Sequence, residues 1–317
     1  MKLFILFVFF CVVYPILAWL HRCPPPENVP RECSCTKQDH VLVSCRHVND
    51  THMLSESLIS FQNYVVDKLE ISDSGPLEML GGPFAKLNIH HIVFNNVRFG
   101  HLPILRSFKG IEDSLDSLTF NSCKVDRWTW TEGQMFSYLK TLIFMETNLP
   151  EVLSPEYFAK FPNKIENLNI NKCNVKELKE KALDRFAALK SLKIENNKLN
   201  SINRASLPRK LRRLIHLSFI GNPLKVLPED IFTHMPRLEN LMLGGTKLKT
   251  LDKKTFEPIW DQLEKVFFNN IQLNCDCNST WLIEVNAEKM VVPPTCSSNR
   301  KPITEFTHEE LCRTRHK

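Results

Sequence analysis

The side chains able to do chemistry in this 317-residue chain are its histidines, its cysteines and one basic run, and each arrangement points to a different chemistry. His90-His91 is an adjacent pair. On a strand, neighbouring side chains point to opposite sides, so the two rings would not chelate one ion. His40, His47 and His52 lie close in sequence without carboxylates at matched spacing, and they are not assigned a metal. The chain has no phosphate-cradling glycine loop, no H-E-x-x-H and no nucleophile elbow, and only nine glycines in all. The expectation is no catalytic residue, no metal and no cofactor.

The cysteines carry more information. Eight of the eleven cluster at the ends, as Cys23, Cys33, Cys35 and Cys45, then Cys275, Cys277, Cys296 and Cys312. Even-numbered clusters in a secreted chain read as disulfide frameworks, and a secretory route makes zinc the poorer reading of the C-x-C pairs. Four cysteines allow three pairings. Adjacent C-x-C residues rarely bond each other, so Cys33 and Cys35 each reach outward, and spacing decides nothing further.

The secretory route follows from the first segment. Lys2 precedes an apolar run from Leu3 to Leu17, with Ala18 at the cleavage position, which makes residues 1–18 a signal peptide that takes Cys11 with it. Its loss lowers the formal charge from +6 by one. No later stretch reaches the roughly 18 apolar residues of a membrane span. The basic end, Arg313-Thr314-Arg315-His316-Lys317, lacks a hydrophobic anchor signal. Two sequons, Asn49-Asp50-Thr51 and Asn278-Ser279-Thr280, are candidate glycosylation sites.

The elements that position these residues come from a repeat. Leu189 to Leu199 reads L-x-x-L-x-L-x-x-N-x-L, and its ninth position recurs at Ser74, Val97, Cys123, Thr147, Cys173, Asn197, Asn222, Thr246 and Ile271. The steps are 23, 26, 24, 26, 24, 25, 24 and 25 residues. Such a period with this internal pattern is that of a leucine-rich repeat. The fold class expected is an α/β repeat: a solenoid with a curved parallel sheet, an irregular or short-helical convex side, and disulfide-bonded caps. Domains are expected at 19–54 (N-terminal cap), 55–274 (about nine repeats) and 275–317 (C-terminal cap). An apolar content of 43% suffices for a continuous core.

Within each repeat the L-x-L pair points inward, and Phe84, Phe108, Phe136, Phe158, Phe186, Phe232 and Phe256, with Leu207 in series, fill the back. An asparagine at the ninth position satisfies backbone groups where the chain leaves the strand. Serine and threonine do part of that work and cysteine does it weakly. Val97 and Ile271 cannot do it at all, so the second and last repeats should be least regular. Cys123 and Cys173 sit two rungs apart, about 10 Å, beyond bridging range, and are read as buried thiols. Trp281 is expected to cover the end of the core.

The repeat with its cysteine-rich ends resembles the secreted extracellular leucine-rich-repeat proteins. Cys23-Pro24-Pro25-Pro26, Cys33-Ser34-Cys35 and Cys275-Asp276-Cys277 resemble those of small arthropod members related to the Oplophorus-type luciferin monooxygenase non-catalytic subunit. That resemblance implies a companion that binds or stabilises another chain rather than an enzyme. Small leucine-rich proteoglycans and Toll-like ectodomains are more distant comparisons. The N-terminal cysteine spacing departs from the tighter proteoglycan pattern.

Binding then falls to the outward columns of the sheet. The first is Glu70, Val93, Thr119, Ile143, Asn169, Lys193, Ser218, Met242 and Phe267. The second is Ser72, Asn95, Asn121, Met145, Asn171, Glu195, Ile220, Gly244 and Asn269. Ile143 with Met145, and Ile220 with Met242 and Phe267, form two apolar spots, the type of surface that docks a protein partner. The alternative for Phe267 is cover by the closing cap. Arg209-Lys210-Leu211-Arg212-Arg213, with Lys198 and Arg204 nearby, is a candidate site for a heparin-like polyanion. A nucleic-acid partner is not expected at this modest charge. The functional expectation is a secreted, non-catalytic protein-binding or scaffold module. A matrix glycosaminoglycan binder and an innate-immune recognition protein are the alternatives, with oligomeric state left open.

Overall fold

The computed structural model describes residues 21–130 and 136–313. Residues 1–18, expected to be a signal peptide, and the end of the basic tail, residues 314–317, lie outside the described residues. The chain divides into two compact units, Met1–Leu142 and Ile143–Lys317.

The first unit opens with a cross-linked hairpin. β1 (Cys33–Lys37) pairs antiparallel with β2 (Val41–Arg46), and the facing residues Cys33 and Cys45 are disulfide-bonded, while Cys23 bonds Cys35. α1 (Thr51–Ile59) starts where Asp50 accepts a 2.8 Å hydrogen bond from the Met53 N–H, a side-chain cap for an otherwise unpaired donor. Parallel strands follow: β3 (Val65–Leu77), β4 (Asn88–Pro103) and β5 (Ser117–Asn121), with β6 (Lys124–Thr129) on the far end of β4. The register places Leu69, Ile92 and Leu118 in one inward row, and Ile71, Phe94 and Phe120 in the next. The rings stack along the row, with Phe94 to Phe120 at 5.3 Å and Phe84 to Phe108 at 5.3 Å on the back.

Val97 does what its chemistry allows. It is buried and has no polar atom to recapture the backbone, and β4 stays in the ladder through Pro103, pairing Phe99 with Val125 and Leu102 with Trp128. The first repeat is also extended, because β3 continues past Ser74 to Leu77 and pairs with β4 along that length. The period alone gives no hint of that extension.

The second unit carries the regular repeats. β7 (Thr141–Met145) straddles the boundary, and the parallel strands that follow are β9 (Asn167–Asn171), β11 (Ser191–Glu195), β12 (His216–Ser218), β13 (Asn240–Met242) and β14 (Lys265–Phe267). Short β8 (Val152–Leu153) and β10 (Glu177–Leu178) pair behind them. Leu168, Leu192, Leu217, Leu241 and Val266 align as one buried row. On the back, α2 (Pro155–Phe158) and α3 (Lys253–Trp260) carry Phe158 and Phe256, which meet Phe186 at 5.2 Å and Phe232 at 5.5 Å.

The ninth position acts as a backbone clasp. Asn197 Oδ1 accepts from the N–H groups of Cys173 (2.9 Å) and Val175 (3.2 Å), and its Nδ2 donates to the carbonyls of Ile170 and Glu195, each at 2.8 Å. Cys173 imitates the donor half, its Sγ lying 3.4 and 3.2 Å from the carbonyls of Phe144 and Asn171. Cys123 does likewise in the first unit, and neither cysteine is in a disulfide. Burial pushes the Cys173 thiol up to about 11. The residue before each clasp is left-handed at Asp73, Asn96, Ser122, Glu146, Lys172, Asn196, Gly221, Gly245 and Asn270. At Gly221 glycine also makes room for the neighbouring rung, since a Cβ there would lie 2.2 Å from Asn196 Oδ1 and displace that amide.

The closing cap adds β15 (Gln272–Leu273), β16 (Met290–Val292) and β17 (Thr295–Cys296), then α4 (Trp281–Glu284) and α5 (His308–Arg313). Disulfides join Cys275 to Cys296 and Cys277 to Cys312. Trp281 is buried against Phe256 and Trp260, and its indole N–H donates to the Leu251 carbonyl at 2.9 Å. β16 pairs parallel with β14, so the sheet of this unit gains a strand from the cap.

Candidate functional site

The outward side chains of the second unit are arranged by the parallel register. Asn169, Lys193, Ser218, Met242 and Phe267 occupy one row, and β16 extends it to Val292, which pairs with Phe267. Neighbouring strands lie about 4.8 Å apart, so side chains in a row touch across the sheet. Met242 and Phe267 are half-buried, and Val292 is 40% exposed. Ile220 is half-buried in the next row. Ile143 and Met145 form the other spot on β7, half-buried and 37% exposed.

Three members of the outward columns do not reach solvent, Ser72 in the first unit and Ser218 and Gly244 in the second. Ser218 is fully buried, because its short side chain lies between the longer Lys193 and Met242, and its Oγ accepts from the Ile220 N–H at 3.5 Å. Gly244 is buried beneath the Asn269 amide, whose Oδ1 stands 2.2 Å from where a Cβ would be. The face therefore has a polar stretch, Asn169, Lys193 and Asn171, separating its two apolar spots.

Val292 and its neighbour Val291, which is 50% exposed, are missing from the sequence-based site. A partial signal was present, since Met290 follows Val266 by one more repeat period, but Val292 comes beside Phe267 only through a register shift between Val266 and Phe267 that the sequence does not announce. The cap cysteines on either side hide it.

The basic run does not act as a unit. Arg213 pairs with Glu166 at 3.2 Å, and Lys190 shares that carboxylate at 2.7 Å. The backbone N–H of Arg209 donates to Asp184 Oδ1 at 3.1 Å, a contact of the main chain and not of its charge. Arg204, counted above as nearby charge, is buried and spends its guanidinium on backbone carbonyls. Lys210 and Arg212 are exposed. Asn49 and Asn278 are both exposed as well.

The histidines do not assemble a centre. His40 and His90 each lie near Asp67 Oδ1, at 3.9 and 3.8 Å, and His52 lies 3.6 Å from Glu56. The His90 and His91 rings are 6.5 Å apart and perpendicular. Partial burial holds the His91 imidazole below its ordinary range, against the pull of Asp116. Among the described residues no group of three or more His, Cys, Asp or Glu is placed to hold a metal, and no helix is long and apolar enough to cross a membrane.

No protein-family model matches the chain, and no curated protein does either. Solved structures do. One is a chain of the octameric complex of Latrophilin 3 (Lec, Olf), Unc5D (Ig, Ig2, TSP1) and FLRT2 (LRR). It is 16% identical with a TM-score of 0.60, and the match covers 89% of this chain and 98% of that one. Another is the TLR13–ssRNA13 complex, also 16% identical, with a TM-score of 0.51 over 71% of this chain and 37% of that one. The likeness is one of fold, and it agrees with the repeat register and the paired end cysteines. The chain is a leucine-rich-repeat solenoid closed by disulfide-bonded caps.

Proposed function

We propose that this chain is an extracellular, non-catalytic protein-binding or scaffold module whose second-unit sheet face docks a protein partner. The observation that carries this reading is the row Met242, Phe267 and Val292, three apolar side chains partly open to solvent on adjacent strands. An aromatic residue within an apolar centre, rimmed by asparagines, is the anatomy of a recognition surface. Four disulfides favour an oxidising compartment, and exposed Asn49 and Asn278 are open to glycosylation there. The solved relatives offer a parallel: FLRT2 stands in a complex with Latrophilin 3 and Unc5D.

The finer form of this proposal is a companion subunit of another extracellular protein, as the resemblance to the arthropod non-catalytic subunits implies. A matrix glycosaminoglycan binder would rely on Arg209, Lys210, Arg212 and Arg213. That reading is the weaker one, because Glu166 already pairs with one of the four, Arg213. An innate-immune recognition protein would use the same sheet face. The proposal is tested by affinity capture from native extract, comparing the mature chain with a Met242→Ser/Phe267→Ser variant. Loss of at least ~90% of the captured partner is expected, in line with hot-spot truncations of 2 kcal/mol or more. Undiminished capture, with or without heparin as competitor, would remove the sheet face from the account.

A further inference from the structure

The back of the second unit holds a cleft of about 450 Å³, within the size range of small-molecule sites. Its mouth carries Lys210 and Arg212, both exposed and without an ion pair among the described residues. Its floor is apolar, with Phe232 and Ile259 buried beneath the opening. Cations over an apolar floor are an amphipathic arrangement, and the flanking Arg213 already has a carboxylate beside it.

The cleft is held in shape by a buried charge. The Arg204 guanidinium donates from Nη1 to the Pro208 carbonyl at 2.9 Å, from Nη2 to the Arg209 carbonyl at 3.2 Å, and from Nε to the Thr233 carbonyl at 3.0 Å. It thereby ties the loop carrying the two free cations to the turn forming the opposite wall. The Leu211 N–H repeats the tie by donating to the His234 carbonyl at 3.1 Å, and Gln262 Nε2 donates to the Met235 carbonyl at 2.7 Å on the far rim. Walls fixed in advance lower the ordering cost of binding.

We propose that this cleft binds a monomeric amphiphilic anion, with a carboxylate, sulfate or phosphate head on Lys210 and Arg212 and an alkyl or aryl body over Phe232 and Ile259. A sulfated polysaccharide satisfies the cations but has no apolar body for the floor. The site is separate from the sheet face, so either proposal stands if the other fails.

The test is calorimetric titration of the mature chain with decyl sulfate, kept below its micelle concentration. Saturable binding at one site is expected. Inorganic sulfate and decyl maltoside, each lacking half of the recognition chemistry, should bind at least tenfold more weakly. Lys210→Ala/Arg212→Ala should weaken decyl sulfate at least tenfold while leaving the unfolding midpoint and partner capture unchanged. Equal binding of decyl maltoside, no loss in the double variant, or binding to phosphatidylserine vesicles without binding of decyl sulfate monomers would each overturn it.

Discussion

Asn197 concentrates the residue-scale logic of the repeat. One buried amide satisfies two N–H groups and two carbonyls that the chain leaves unpaired as it turns off the strand. Removing it strands those groups without water, and each unsatisfied buried group costs roughly 1–3 kcal/mol. Asn197→Ala should therefore destabilise the protein by about 3 kcal/mol in a denaturant titration, with a cost of that order expected for several lost buried hydrogen bonds. His91 gives a pH signature. Burial lowers its folded-state value and is the largest influence, with Asp116 and Asp67 opposing and His90 and His40 reinforcing. The unfolded chain then takes up a proton first, near the ordinary value of about 6.5, and stability falls as pH drops below that point. His91→Gln should flatten the decline in thermal midpoint between pH 7 and pH 5. An unchanged slope would assign the acid sensitivity to other groups.

At the scale of elements, the strands of the second unit were legible because leucines at fixed spacing have one buried solution on a parallel sheet. Asn197 and Asn222 announced where each strand stops. The first unit was harder to read, because Val97 removes the stop signal and backbone pairing alone carries β4 on to Pro103. Val97 alone does not account for the extension, since β3 runs on past Ser74, whose hydroxyl does meet the backbone, and β14 stops at Phe267 although Ile271 is equally apolar. β16 was missed for a different reason: cysteine spacing dominates the cap and conceals Met290 as one more repeat position. Outward columns are only partly decided by phase. Ser218 and Gly244 have the right phase and no reach, so longer neighbours cover them.

For the whole molecule, the repeat leaves its outward side chains free to differ from rung to rung, and the fold does not choose their partner. Cap disulfides and the buried Trp281 close the ends of the apolar core, which a terminal repeat would otherwise expose. What distinguishes this chain is where its outward rows become apolar. The charged run near Lys210 reads in sequence as one basic patch, yet Arg213 is paired with Glu166 and Arg204 is spent on backbone carbonyls. Such pairing comes from residues distant in sequence, which no local pattern reports.

Hydroxyl-radical footprinting of the mature chain, free and with its captured partner, tests the central claim most directly. Met242 and Phe267 should oxidise in the free protein while Leu241 and Leu243 do not, and both should become protected in the complex. Met242 as unreactive as Leu241 in the free chain, or equally reactive with and without the partner, would contradict it.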